Sequence, residues 1–310
     1  MTIKILSPGP LSTVQDLGRV GYMNSGFSQN GAMDTYAAQL ANILVGNPRT
    51  CGVIEMTFMG ISAEFDTDAV ISVTGADMQP KINGESIKMY TACQVRKGDT
   101  LTFGVAKNGM RSYLAIAGGF DIPKKMDSES TNIKCKVGGY LGRRLAGGDE
   151  IFLKRGTRLK DKSTRTFKPT EYPESFTVRV ILGPQDDYFT KEGKEKFLSS
   201  AYTVSQKSDR MGIRFDGEAV ESISGVDIIS DGIVFGSVQI PASGKPIIMM
   251  ADRQTTGGYA KIATVISADL PLLAQARPGS QVKFVAVSER CALNLLEKRE
   301  KELKRLERKF

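Results

Sequence analysis

The chain has 310 residues, 41% hydrophobic and 25% charged, with a formal net charge of +8 and no histidine. That length permits two domains, and the composition is that of an ordinary globular protein. The missing histidine excludes Ser-His and Cys-His nucleophile pairs and histidine-ligated metals, so proton transfer falls to Asp, Glu, Lys, Tyr or water.

The chain opens with a strand running into a loop, without the apolar core of a signal peptide. No stretch approaches the roughly 18 apolar residues of a membrane span, and a cytoplasmic protein without membrane contact is expected. "STVQDLGRVGY", Ser12 to Tyr22, gathers Gln15, Asp16 and Arg19 around a glycine. A helix follows, with Asp34 as N-cap and Tyr36, Ala37, Leu40, Ala41 and Leu44 as its apolar stripe; Gly46 and Pro48 stop it. Asp34 either caps free N–H groups or, with Gly31-Ala32-Met33, presents them to an anionic substrate. Ala69 to Met89 reads as a strand and then a hairpin turning at Asn83-Gly84. Further strands are expected over Arg111–Phe120, Glu174–Gly183, Asp231–Pro241 and Ser280–Ser288, with weaker helices over Asp186–Ser200 and Ser267–Gln275. Short strands with close turn signals point to barrels or sandwiches. The sequence ends in a charged helix from Arg290.

Charge and cysteine placement narrow the partners. Lys154 to Lys168 carries +6 and Val287 to Phe310 carries +3, which leaves the remainder at −1. A basic linker and a basic tail do not make a nucleic-acid groove, so no nucleic-acid partner is expected. Cys51, Cys93, Cys135 and Cys291 are scattered, with no CxxC pair, so no metal site is expected. The linker and its prolines divide the chain into an N-terminal subdomain (1–160), a basic linker (161–173), a C-terminal subdomain (174–288) and a terminal helix (289–310).

Two later clusters carry unusual chemistry. "SDRMGIRF", Ser208 to Phe215, holds Arg210 and Arg214 beside Asp209. Either arginine can form a salt bridge, or grip a carboxylate with its planar fork. "DRQTTGGYAK" supplies Asp252, Gln254, Thr255, Thr256, Gly257, Gly258 and Tyr259 after an apolar run. Gln239 ends the preceding strand. Carboxamides can bond another amide as donor and acceptor together, which suits a lactam, urea or ureido ring. The expected site is a polar cleft at the barrel ends. Asp252, Tyr259 and Arg210 would be its catalytic groups. Asp16, Arg19, Asp34, Gln239, Gln254, Thr255, Thr256, Gly257 and Gly258 would bind substrate. No P-loop is present, and "GGYLGRRLAGG" (Gly138 to Gly148) reads as turns.

Taken in order, "LSTVQDLGRVGY", "GAMDTYAAQLANILVGN", "IEMTFMG", "SYLAIAGGFDIP", "GPQDDYF", "SDRMGIRF", "SDGIVFGSVQIPASGKPIIMMADRQTTGGYAKIATVI" and "LAQARPGSQVKF" resemble one family, over roughly residues 3 to 287. It is the KipA-like family of 5-oxoprolinase C subunits, also called allophanate hydrolase subunit 2-like biotin-dependent carboxyltransferases. The resemblance implies a mainly β (β-rich α+β) fold with two cyclophilin-like β-barrel subdomains and few helices. It implies an ATP-using complex with a KipI-like B subunit and an A subunit, which opens 5-oxoproline to glutamate. The chain would be inactive alone, without a complete ATP site of its own. The alternatives are the carboxyltransferase part of a biotin-dependent, urea carboxylase-like enzyme, or a regulator that binds a KipI-like kinase inhibitor. At "MDSESTNIKCKVGG" the chain departs from the family's Gly-Ser-Arg-Ser-Thr pattern, with Asp127 and Glu129 in place of Gly and Arg. That puts ligand contacts from Ser128, Ser130 and Thr131 in question.

Overall fold

The computed structural model describes residues 1–156 and 164–310. The first residues of the expected 161–173 linker lie outside the described residues. The described residues form two compact units. Unit 1 comprises Met1–Val20, Asn30–Tyr172 and Glu302–Phe310; unit 2 comprises Gly21–Gln29 and Pro173–Lys301.

Unit 1 contains β1 (Thr2–Ser7), β2 (Leu11–Gln15), α1 (Thr35–Leu44), β3 (Val53–Thr57), β4 (Ser62–Phe65), β5 (Ala69–Gly75), β6 (Lys81–Ile82), β7 (Glu85–Ser86), β8 (Cys93–Val95), β9 (Thr100–Thr102), β10 (Arg111–Ile116) and β11 (Glu150–Phe152). The strands divide between a six-stranded sheet, β11-β1-β4-β9-β6-β7, and a five-stranded sheet, β2-β3-β10-β5-β8. Every residue of β10 is buried, because sheet neighbours flank it and α1 packs beside it. The expected cap is present: Asp34 Oδ1 accepts from the Ala37 amide at 2.9 Å. At the other end of α1 the Arg165 guanidinium donates to the carbonyls of Ile43 and Leu44, a cation where the helix dipole is negative. It also lies 4.4 Å from the centre of the Phe310 ring. The turn between β6 and β7 places both Asn83 (φ 50°) and Gly84 (φ 86°) in the left-handed region, as a two-residue hairpin of this sequence requires.

Unit 2 contains β12 (Ser175–Leu182), α2 (Lys191–Ser199), β13 (Ala201–Val204), β14 (Gly212–Asp216), β15 (Asp227–Gly232), β16 (Ser237–Gln239), β17 (Ile247–Met249), β18 (Thr256–Tyr259), β19 (Lys261–Val265), α3 (Leu270–Ala274) and β20 (Gln281–Ala286); α4 (Glu289–Glu307) begins within it. Seven strands close into a barrel in the order β12-β19-β16-β17-β14-β13-β20, which leaves no sheet edge open. Tyr202, Phe215 and Phe284 meet in its interior, where Phe197 of α2 stacks on Phe284 at 4.5 Å. β15 and β18 form a separate two-stranded ribbon. The single strand expected over Asp231–Pro241 is two strands instead: β15 ends at Gly232, and Gly236 (φ 92°) turns the chain before β16. Among the described residues no helix is long and apolar enough to cross a membrane.

Candidate active site

The wall formed by β14, β17 and β16 positions the polar groups of unit 2. Strand pairing aligns Ile213, Ile248 and Val238 in one row. All three are at most 3% exposed and form part of the apolar interior. Side chains alternate across a strand, so the adjacent row, Arg214, Ile247 and Gln239, faces outward. A cavity of about 510 Å³ lies on that outer face, and its walls include Asp209, Arg214, Gln239, Met249, Gln254 and Tyr259. The amide-bearing site therefore sits on the side of the barrel, not at its end, because an outward row can be polar where an inward one cannot.

Gln239 is only 2% exposed. Its Nε2 makes a long 3.4 Å bond to the Tyr259 carbonyl, and its Oε1 accepts no hydrogen bond among the described residues. The Gln254 carboxamide likewise has no partner there, and neither does the Tyr259 hydroxyl. A Cβ built on Gly257 would lie 2.9 Å from Gln239 Nε2 and 3.4 Å from Gln254 Nε2, so this glycine lies against both amides. Gly258, Thr255 and Thr256 serve the ribbon more than the cavity. Thr256 pairs with Gly232, Gly257 with Asp231 and Tyr259 with Asp227, while the Thr255 carbonyl accepts from Ile233. Lys261, 5% exposed, ties the ribbon to the barrel through Asp231 at 2.6 Å. That lysine bond, joined by the Gly232 amide, holds the Asp231 carboxyl below its ordinary range.

Arg210 and Asp252, expected as catalytic, face each other. Arg210 Nε and Nη2 donate to the two Asp252 oxygens at 2.9 and 3.0 Å, and the Asp252 amide donates to the Arg210 carbonyl. Neither is among the cavity walls. Arg253, which is not among the residues expected at the site, is 3% exposed. Its guanidinium donates to the Ile233 and Met250 carbonyls and to Gln29 Oε1. Burial pulls its pKa down to about 10.

The three remaining candidates lie in unit 1 and are engaged there. Asp16 accepts from the Gly18 and Glu129 amides and from the hydroxyls of Ser128 and Ser130. Arg19, 1% exposed, donates to Asn30 Oδ1 at 2.7 Å and to the Ser130 carbonyl. The donors of the turn before α1 have internal acceptors. Ala32 donates to the Asp16 carbonyl, Met33 to Glu55 Oε2, and Asp34 to the Tyr113 hydroxyl. These bonds, with the Ala37 amide on Asp34 Oδ1, are those of a capped helix start. Burial, reinforced by the Glu55 and Asp34 carboxylates, holds the Tyr113 hydroxyl well above the ordinary tyrosine value, so it is a neutral bridge. The departure at Glu129 is also absorbed. Its Oε2 accepts from the Gly52 amide at 2.8 Å and its Oε1 pairs with Lys154 at 3.1 Å. Ser128 and Ser130 bond Asp16, and Thr131 bonds the Val14 carbonyl.

The chain matches the carboxyltransferase domain, subdomain A and B, over residues 25–286, and it belongs to that family. Within curated relatives it is similar to the 5-oxoprolinase C subunit of Haemophilus influenzae, at 39% identity over 96% of this chain and 95% of that protein. The Escherichia coli protein of the same name is 36% identical over 92% and 91%. Among solved structures, the K. lactis urea amidolyase matches with a TM-score of 0.90 at 30% identity, over 98% of this chain but 20% of that longer protein. The family resemblance drawn from the ordered motifs is thus confirmed.

Proposed function

We propose that this chain is the C subunit of an ATP-dependent 5-oxoprolinase, acting with the A and B subunits to open the lactam of 5-oxoproline to L-glutamate. The observation that carries this reading is Gln239: a 2%-exposed carboxamide whose Oε1 accepts no hydrogen bond among the described residues and which lines a cavity with Gln254. Gln239 keeps an unused acceptor and only a long 3.4 Å donor bond at the cavity wall, and a ligand amide can meet both. A five-membered lactam presents one N–H and one C=O in the arrangement two carboxamides can match. Of the proposed catalytic residues, Tyr259 is the one that lines the cavity, and we assign it the proton transfer. Arg210 and Asp252 act through the turn they brace. The sequence carries no P-loop, so ATP chemistry is assigned to the assembled complex.

The similarity to urea amidolyase favours a second reading, carboxyl transfer from biotin, whose ureido ring offers the same donors and acceptors. The test is reconstitution with the A and B subunits. The isolated chain is expected to be inactive, and the complex to release glutamate from 5-oxoproline with ATP hydrolysis. An avidin-sensitive reaction requiring a biotinylated carrier would replace the first reading with the second.

A further inference from the structure

The cavity has an edge that the two carboxamides do not explain. Arg214 lies in the same outward row as Gln239, with Ile247 between them. Two strand spacings separate Arg214 from Gln239, or about 10 Å between backbones. Both side chains line the same cavity. Unlike Arg210, whose fork is closed on Asp252, the Arg214 guanidinium has no hydrogen-bond or ion-pair partner among the described residues. The cavity's own carboxylate, Asp209, is held in its turn: its Oδ1 accepts from the Met211 and Gly212 amides at 2.8 and 3.1 Å. The structure thus offers an exposed cationic fork at one side of the cavity and, at the other, the Gln239 Oε1 acceptor and the Gln254 carboxamide, neither bonded among the described residues.

We propose that Arg214 is the carboxylate-reading residue of this cavity, and that the cavity is selective for lactams bearing a carboxylate beside the ring nitrogen. This rests on the reading of the cavity as a lactam site and adds its specificity. A planar guanidinium pairs with a carboxylate through two parallel N–H bonds. A neutral amide such as urea offers it no such partner. Arg214 therefore separates acid-bearing lactams from uncharged amides, while Gln239 and Gln254 serve both. It is a binding and specificity residue and takes no part in the bond-breaking step.

The experiment compares 5-oxoproline with its uncharged carboxamide, 5-oxoprolinamide. KM is measured in the reconstituted complex, and binding to the full chain by saturation-transfer NMR. Arg214→Gln is expected to raise KM for 5-oxoproline about 10- to 100-fold, the worth of a charge-assisted pair. It leaves kcat and the weak binding of 5-oxoprolinamide within a few-fold of the parent, and Arg214→Lys recovers part of the loss. Gln239→Leu is expected to weaken both ligands alike. An unchanged KM for 5-oxoproline in Arg214→Gln, with Gln239→Leu still impaired, would overturn the role of Arg214 and leave the lactam site standing. Equal weakening of both ligands by Arg214→Gln would overturn it too. A parent chain and complex that neither bind nor turn over 5-oxoproline would overturn the lactam reading, and this inference with it.

Discussion

The surroundings of Asp16 in unit 1 and the cavity in unit 2 are both dense in polar side chains, and they differ in what those side chains do. Around Asp16 each oxygen has donors, Arg19 holds Asn30 and Ser130, and the turn amides have acceptors. Around the cavity, Gln239 Oε1, the Gln254 carboxamide and the Arg214 guanidinium have none among the described residues. The first pattern fixes a fold, with Gln15 Oε1 its one buried acceptor left over beside Asp16; the second, with Gln254 half-buried and Arg214 exposed, leaves groups able to meet water or a ligand. Sequence composition does not distinguish the two, because both read as Asp, Arg, Gln and Gly in short order.

The contrast can be broken most severely at Asp16. Asp16→Ala removes the acceptor of four donors, and is expected to destabilise unit 1 by about 3–5 kcal/mol. Denaturant unfolding would register this as a shifted transition. Gln239→Leu, by contrast, should change stability by less than about 1 kcal/mol while weakening substrate binding, since its amide closes no network. If Asp16→Ala kept full stability and lost only substrate affinity, the Asp16 cluster would be a site and the contrast would fail. Next comes Arg210→Ala, which strands Asp252. A loss of about 2–4 kcal/mol is expected, and Asp252→Ala in the same chain should recover part of it. Additive losses in that double-mutant cycle would mean that the pair is not coupled. A smaller effect is expected for Gly257→Ala. The new Cβ would meet Ile233 Cδ1 at 2.6 Å and Gln239 Nε2 at 2.9 Å, both ends of flexible side chains. About 1 kcal/mol of strain and a several-fold rise in KM should follow. Unaltered kinetics would show that the amides are not held against that glycine.

The smallest effect is a pH dependence. Lys261 keeps the Asp231 carboxyl below its ordinary value of 3.8, so the unfolded chain takes up the proton first. The ion pair's contribution is fully present above the unfolded value and is lost as pH falls through the lower, folded one. Ribbon amides should therefore keep their protection at pH 5 and lose it only below about pH 4. Hydrogen exchange, corrected for intrinsic rates, measures this, and Asp231→Asn should flatten the profile.

Much of the architecture was legible because it is local. Asp34 followed by a 3.6-period stripe specified α1, Asn83-Gly84 specified its hairpin, and alternating apolar residues specified the strands around Phe176 and Phe284. What was not legible depends on distant pairing. Arg214 and Gln239 enter one row only because both pair with Ile247, and nothing in either segment encodes that register. Arg210 and Arg214 look equivalent in "SDRMGIRF". They part company because Asp209 caps a turn that keeps Arg210 outside the strand, bonded to Asp252, while Arg214 lies on β14. Even so, Ile213 and Phe215 flank Arg214 with apolar groups of the opposite face, a signal that the sequence held.

The bond from Arg253 to Gln29 has a consequence for the chain's modularity. Gly21–Gln29 is encoded among the residues of unit 1 yet belongs to unit 2. A gene fragment beginning at Pro173 would encode the seven barrel strands but omit an acceptor for a buried cation. Recombination at a single crossover could not exchange the barrel as a cassette. The inheritable module is the interlaced whole.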